Sequence, residues 1–495
     1  MRNTLLLTAA ELALRSVSLI FHAYLSRTIG AVGMGKLQLV ATATAFAMTF
    51  GLSGARVAAI NLTAEQAGKG DLPGMKKSIL SCLCYGAILS SLVGILLFNA
   101  APVIAARWIG DRRVESALRI AAAALPFNCL TAILSGYFTA RGKIKQLVVI
   151  EVFDRLSSVG ITTLLLRLWA GSDLTRICCS VVGGGAICTL ISFLLLCVRL
   201  RRDLAQIQSQ TSRRILPKLL SLCIPLALGD YLRSGLSSFE QFLIPHRLRG
   251  NYETALGSYG TICAMVFPVL MFPASLIYAL CDLLVSELAR CKAQNSRLRI
   301  RFLVSECLRI GVIVNAAIAG AIFLLAPALG EYIYHSCDAG RYLRCFAPLI
   351  VMLYCDALVD GMLKGLGEQV AGVRYNTLTA ALDVLLLFFL LPTFHLGGYY
   401  FSFVLTHAVN FALSLRRLCV VSDYPPQWPH ALKAMLAAVL SVYVTMRCAP
   451  ACAALPSMLG SVLVYLSVYA LLSLLLGTFQ LSNLNAYMPK KAPVR

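Results

Sequence analysis

Charge is scarce in this chain: Asp, Glu, Lys and Arg make up 13% of its 495 residues. Acids are scarcer than bases, 22 against 44, and histidine occurs only six times. No polar stretch between the apolar runs is long enough for a soluble domain. That excludes an ordinary soluble enzyme, and also a membrane enzyme with a large catalytic loop. No cysteine pair has metal-site spacing with histidines. Most of the 18 cysteines lie inside apolar runs, as do Cys82, Cys84, Cys178, Cys179 and Cys188. There cysteine acts as a small apolar side chain, so neither a disulfide framework nor zinc is expected. The excess of base does not mark a nucleic-acid binder. The basic residues collect in short loops, as the positive-inside rule requires, and no aromatic–basic module interrupts the apolar runs.

What the chain has in quantity is apolar sequence. Hydrophobic residues are 59% of the total and the mean hydropathy is +0.78. Runs of about 20 residues, long enough to cross a bilayer, recur from end to end, about fourteen in all. Six are expected near 4–27, 35–62, 77–98, 115–140, 145–168 and 174–198. Six more are expected near 218–245, 253–288, 300–327, 342–364, 370–392 and 396–418, and a last pair near 429–447 and 456–478. The first run is not a cleavable signal, because Glu11 and Arg15 interrupt it. The fold class is all-α and polytopic. Residues 1–200 form one six-helix lobe and 218–420 a second. The basic connector 201–217, with Arg201, Arg202, Arg213 and Arg214, lies between them. Residues 421–495 add two helices and a tail, set off by Pro425, Pro426 and Pro429. Loop charge places both termini and the connector on the cytoplasmic side of the inner membrane. Lys490, Lys491 and Arg495 fall on that side.

Polar stripes inside the apolar runs carry the functional signal. Glu11, Arg15, Ser18 and His22 share one face of the first helix. Asp230, Arg233, Ser237, Glu240 and Gln241 repeat the device on the seventh. Intramembrane charge costs about 3 kcal/mol per residue at mid-helix, so such stripes face a partner helix or a watery path. Thr42, Thr49, Ser53 and Arg56 form a further ladder. Glu151, Asp154 and Arg155 cluster on helix five; Asp356, Asp360 and Lys364 form a row on helix ten. An internal repeat is visible: Gly136-Tyr-Phe-Thr-Ala-Arg-Gly142 ends helix four, and Gly361-Met-Leu-Lys-Gly-Leu-Gly367 ends helix ten. The even helix offset makes the repeats parallel, about an axis along the membrane normal. Pro268 and Pro273 are expected to kink helix eight.

Several segments together resemble the multidrug/oligosaccharidyl-lipid/polysaccharide exporter superfamily. They are Ala23-Tyr-Leu-Ser-Arg27-Thr-Ile-Gly30-Ala-Val-Gly33-Met-Gly35, Gly51-Leu-Ser-Gly54 through Glu65, and Gly136–Gly142 followed by Glu151. The chain looks most like the polysaccharide-transporter and stage V sporulation protein B group, with the lipid II flippases a more distant branch. The resemblance covers the chain through about residue 420. It implies a flippase, not an enzyme, moving a polyprenyl-diphosphate-linked oligosaccharide across the cytoplasmic membrane by alternating access. The cargo is a polysaccharide repeat unit or a peptidoglycan precursor. Membrane lipids are its surroundings, glycosyltransferases or cell-wall synthesis proteins its partners, and a monomer its expected state. A cation-coupled multidrug exporter, or a non-transporting scaffold in envelope or spore assembly, remains the alternative.

Arg15, Arg56 and Arg233 are the candidate ligands for a diphosphate, because guanidinium groups bind its oxygens in a bidentate fork. Glu11 and Glu240 join them as candidate cavity residues. Arg15 sits where the lipid II flippases carry a cavity arginine. The basic–acidic pair that follows in that branch is absent, with Phe21 and His22 in its place. No cofactor is expected beyond a coupling sodium ion or proton. The oxygens of Asp230, Asn376 and Asp383 are the candidate sodium ligands, since hard cations prefer oxygen.

Overall fold

The computed structural model describes residues 2–171, 173–205, 216–248, 252–424, 428–449, 452 and 454–478, without the side chains of 2–11, 144, 170, 279 and 282. The Glu11 side chain, connector residues 206–215, Pro425, Pro426, Lys490, Lys491 and Arg495 therefore lie outside the described residues. No strand occurs among those described. In chain order the helices are α1 (Arg2–Leu52), α2 (Ala55–Gly68), α3 (Leu72–Val103), α4 (Glu115–Ala140), α5 (Ile144–Leu165), α6 (Leu174–Leu204), α7 (Leu216–Arg247) and α8 (Tyr252–Gly260). Then come α9 (Phe267–Leu270), α10 (Ala274–Ala293), α11 (Arg297–Tyr334), α12 (Cys337–Phe346), α13 (Ile350–Gly365), α14 (Gln369–Ser422), α15 (Trp428–Cys448) and α16 (Leu455–Leu475).

Among the described residues, eleven helical segments are long and apolar enough to cross a membrane, and the chain is a multi-pass membrane protein. Eleven differs from the fourteen expected for a physical reason. α1 and α14 each hold two expected spans joined through one non-helical residue, Gly30 (φ 68°) and His395 (φ 51°). α5 drops out because it carries Glu151, Asp154 and Arg155. The outward faces are apolar, as on α3, where Ile88, Leu92, Ile95 and Leu96 are exposed. Hydrocarbon around the helices would cover such faces. Pro268 sits in the first turn of α9 and Pro273 directly precedes α10, so the chain breaks between these helices.

Two compact units emerge, Met1–Gly260 with Ala380–Tyr399, and Thr261–Thr379 with Tyr400–Arg495. The first is built on a core of small and aliphatic residues, including Ala58 and Leu62 of α2, Ile79 of α3, Ile133 of α4, Leu200 of α6 and Cys223 of α7. The second packs α11 against α15 and α16 through Ala316, Leu324, Ala437, Val442, Tyr465 and Tyr469. The Tyr469 hydroxyl donates to the Ile313 carbonyl at 2.8 Å. A buried tyrosine needs such an acceptor, and helix backbones offer few others here.

Left-handed backbone recurs with one period. Positive φ falls at Gly70 and Asn295, at Gly110 and His335, and at Gly142 and Gly367, each pair 225 residues apart. Gly171 (φ 55°, ψ −135°) and His395 (φ 51°, ψ −133°) are 224 apart and nearly identical in conformation. The α4 and α13 ends share one hydrogen-bond pattern. The Gly142 and Lys143 N–H groups reach back to Thr139 and Phe138, as those of Gly367 and Glu368 reach Lys364 and Leu363. This is the Schellman arrangement, and it needs a left-handed residue at the glycine. The period equals that of the glycine motif in the sequence.

One ion pair stands out in the first unit. Lys36 of α1 meets Asp111, between α3 and α4, at 2.6 Å, with side chains 10% and 15% exposed. Burial pushes the Asp111 carboxyl up. The hydrogen bonds from Lys36 and from the Arg113 N–H outweigh that push and hold it below the usual carboxylate range. A carboxyl depressed by folding stabilises above its unfolded pKa and loses that effect as pH falls through the folded value. Asp111→Asn, which leaves Lys36 buried and unpaired, is expected to cost about 3 kcal/mol at neutral pH. The gap in thermal unfolding midpoint from the parent should shrink as pH drops below the ordinary Asp range. A gap that is constant with pH would contradict this.

Candidate functional site

Two polar cavities open inside the first unit. The larger, about 720 Å³, is lined by α1, α2, α4, α5 and α6. Arg15, Arg56 and Arg155 line it with Glu151 and Asp154, beside Asn128, Thr131 and Ser135. Ser192 donates to Asp154 at 2.7 Å, and Thr189 donates to Asn128 Oδ1 at 3.2 Å. Three guanidinium groups against two carboxylates leave a formal excess of one positive charge. Among the described residues, no aromatic ring lines it.

Arg56 reaches this cavity because the helix stops short of it. Ser53 (φ 41°) and Gly54 (φ 75°) are both left-handed and separate α1 from α2. Gly54 is also where α7 comes close: a Cβ there would lie 3.0 Å from the Cys223 carbonyl oxygen. The sequence placed Thr42, Thr49, Ser53 and Arg56 on one continuous face. The structure splits them at this break. Thr42, Thr49 and Ser53 face α7 and bond to Gln241 (2.6 Å), Ser234 (3.1 Å) and Tyr231. Each step up α1 is a step down α7, so the seam is antiparallel. Lys218 continues it by pairing with Glu65.

The second cavity, about 450 Å³, lies along this seam and is lined by Thr42, Thr49, Asp230, Arg233, Ser237 and Gln241 among others. Arg233 and Asp230 pair at 2.8 Å. Arg15 and Arg56 are thus brought together, while Arg233 lines a different cavity and already holds a partner.

The three candidate sodium ligands have separate partners. Asp230 pairs with Arg233, Asn376 donates to Asp360 at 3.5 Å, and Asp383 hydrogen-bonds Glu240. Glu240 rather than Asp230 meets Asp383 because ten helical residues set the two acids of α7 about 15 Å apart along the axis, on different faces. Asp383 is buried, at 7% exposure. Two carboxyls can hydrogen-bond only when one of them carries the proton that the other accepts. Residues that sequence reasoning missed are Asn128, Thr189, Ser192 and the α1–α7 seam. Nothing in one sequence marks an isolated Asn or Ser in an apolar run as facing a cavity.

The family model described as polysaccharide biosynthesis protein matches residues 1–279. The chain belongs to the polysaccharide biosynthesis protein family. This member is 22% identical over 411 residues to stage V sporulation protein B of Bacillus subtilis (strain 168), covering 79% of this chain and 78% of that one. In fold it is similar to the lipid II flippase MurJ in an inward closed conformation, with a TM-score of 0.72 at 13% identity over 95% of this chain and 98% of that one. It also resembles an inward-facing multidrug resistance MATE family transporter of the MOP superfamily, with a TM-score of 0.66 at 14% identity over 83% and 96%. The chain therefore has the polytopic helical fold of these two solved structures, which are named a flippase and a transporter, not enzymes.

Proposed function

We propose that the chain is a flippase for a polyprenyl-diphosphate-linked oligosaccharide, working by alternating access in the cytoplasmic membrane with both termini inside. The observation that carries this reading is the 720 Å³ polar cavity holding Arg15, Arg56 and Arg155 within apolar helices. A diphosphate loses its hydration on entering a membrane, and guanidinium groups replace it with charge-assisted bidentate bonds. Hydroxyl and amide groups such as Asn128, Thr131 and Ser135 suit a sugar. In the second unit an apolar cavity of about 320 Å³, with Leu308, Met352, Phe411, Leu415 and Met435 in its lining, suits a polyprenyl tail. We read 1–200 and 218–420 as two parallel repeats whose relative motion carries the cargo, with 201–217 as cytoplasmic connector and 421–495 supplying two further helices. Glycosyltransferases or cell-wall synthesis proteins are the partners, since they make and consume such a lipid.

The test is reconstitution of the full chain in liposomes with a fluorescent polyprenyl-diphosphate oligosaccharide. Loss of signal to an impermeant quencher should be at least about tenfold faster than in protein-free vesicles. This rate is slow without a carrier because a diphosphate barely partitions into hydrocarbon. Transport of a lipophilic organic cation instead would favour the multidrug exporter. Transport of neither would leave the scaffold.

A further inference from the structure

The second unit holds a buried group of oxygen atoms that no reading above employs. Asp356 and Asp360 lie one turn apart on α13. Each is met by an amide from α14: Asn410 Nδ2 donates to Asp356 Oδ2 at 2.9 Å, and Asn376 Nδ2 to Asp360 Oδ2 at 3.5 Å. The other oxygen of each carboxylate is buried without a partner, as are Asn410 Oδ1 and Ser414 Oγ. Asn410 is 6% exposed and Ser414 fully buried. Ser414 stands one turn beyond Asn410, on the same face of α14. Gly372 leaves space beside Asp360, whose Oδ1 would lie 3.6 Å from a Cβ at that position.

Among the described residues, neither Asp356 nor Asp360 forms an ion pair with a basic side chain. Lys364, the next residue of the row, is exposed and makes no ion pair among the described residues. Arg417 is held by Glu368 at 2.7 Å. Two amide N–H donors face two carboxylates in a membrane helix bundle, and four oxygens are left without a donor. Buried polar atoms of a native fold find partners, and intramembrane carboxylates find counter-charge.

The repeat sharpens the contrast. Stepping back 225 residues from Asp356, Asp360, Asn376 and Thr379 leads to Thr131, Ser135, Glu151 and Asp154, all of which line the arginine-rich cavity of the first unit. The equivalent place in the first unit thus also holds carboxylates, Glu151 and Asp154, but with Arg15, Arg56 and Arg155 lining the same cavity.

We propose that Asp356, Asp360, Asn410 and Ser414 form a binding site for a small hard monovalent cation of the sodium class, held between α13 and α14. All the donors are oxygen, which suits such an ion and not a transition metal. Four free oxygens fall short of the six to eight that calcium takes, and the amides already offset part of the negative charge. One cation satisfies several orphan oxygens at once. Protons would reach only the two carboxylates.

The site is independent of the cargo, so its test is binding, not flipping. The purified full chain in detergent is unfolded thermally in sodium chloride and in choline chloride at equal ionic strength and pH 7.5. The midpoint should rise saturably with sodium by several degrees, as expected when a ligand binds only the native state. Asp356→Asn and Asn410→Ala should lose that rise while keeping their helical circular dichroism. Should Asp356→Asn fail to fold, Asn410→Ala and equilibrium binding of radiolabelled sodium decide. No sodium-specific rise in the parent, an undiminished rise in both variants, or a rise that follows pH alone would each overturn the proposal. Sodium binding that persists while flipping is absent would overturn the cargo reading and leave this site standing.

Discussion

Arg15→Ala and Arg56→Ala are each expected to slow flipping of a diphosphate-linked sugar by about ten- to a hundredfold. Both side chains line the 720 Å³ cavity. A hydrogen bond to a charged group is worth about 1.5–3 kcal/mol, and about 1.4 kcal/mol is a factor of ten in rate. The effects should exceed that of Arg233→Ala, because Asp230 already engages Arg233 at 2.8 Å. Lysine at position 15 or 56 should restore part of the rate, since it supplies charge without the planar fork. Membrane insertion and thermal midpoint should stay near those of the parent, which separates a transport defect from misfolding. Normal flipping by both alanine variants would make the arginines structural and remove the basis for the cavity assignment.

Gly260→Leu is the second large effect, and it acts on stability. α1 and α8 cross with almost no side chain between them. A Cβ at Gly260 would strike the Ala31 carbonyl oxygen and the Gly35 backbone, and a Cβ at Gly35 would lie 2.5 Å from the Leu256 carbonyl oxygen. Backbone cannot step aside as a flexible side chain can. The substitution is therefore expected to cost about 3 kcal/mol or more, at the upper end of overpacking. Small residues at such crossings are how membrane helices approach closely, without a hydrophobic force to drive them together. Gly260→Ala should show a smaller fall of the same kind. A chain that tolerates leucine there, with unchanged unfolding midpoint and cross-linking between α1 and α8, would mean the crossing is looser than described.

Much of the architecture was legible in the sequence. Spans are set by hydrocarbon thickness, so apolar runs of the right length mark them without reference to neighbours. The number of crossing segments differs for local reasons: Gly30 and His395 each join two spans, and α5 carries Glu151, Asp154 and Arg155. The arginines were legible because a charge in an apolar run always needs a partner. Their grouping was not. Arg56 turned toward Arg15 through the left-handed pair Ser53 and Gly54, whose conformations no helical periodicity encodes. Asp383 met Glu240 and not Asp230 because packing, not spacing within one helix, selects which face of α7 meets α14. Asn128, Ser192, Asn410 and Ser414 gave no signal, since an isolated Ser or Asn in a membrane helix bonds to its own backbone as readily as to anything else.

The sequence by itself determined that this protein is a bundle of membrane helices with arginines in the spans and a repeated glycine motif, because hydropathy, charge cost and helical period act within single segments. Only the tertiary structure decided that Arg15, Arg56 and Arg155 share one cavity, and that Asp356 and Asp360 each meet an amide of α14. Those are contacts between helices far apart in the chain. The close backbone approaches that create them follow from packing in three dimensions, which no window of sequence contains.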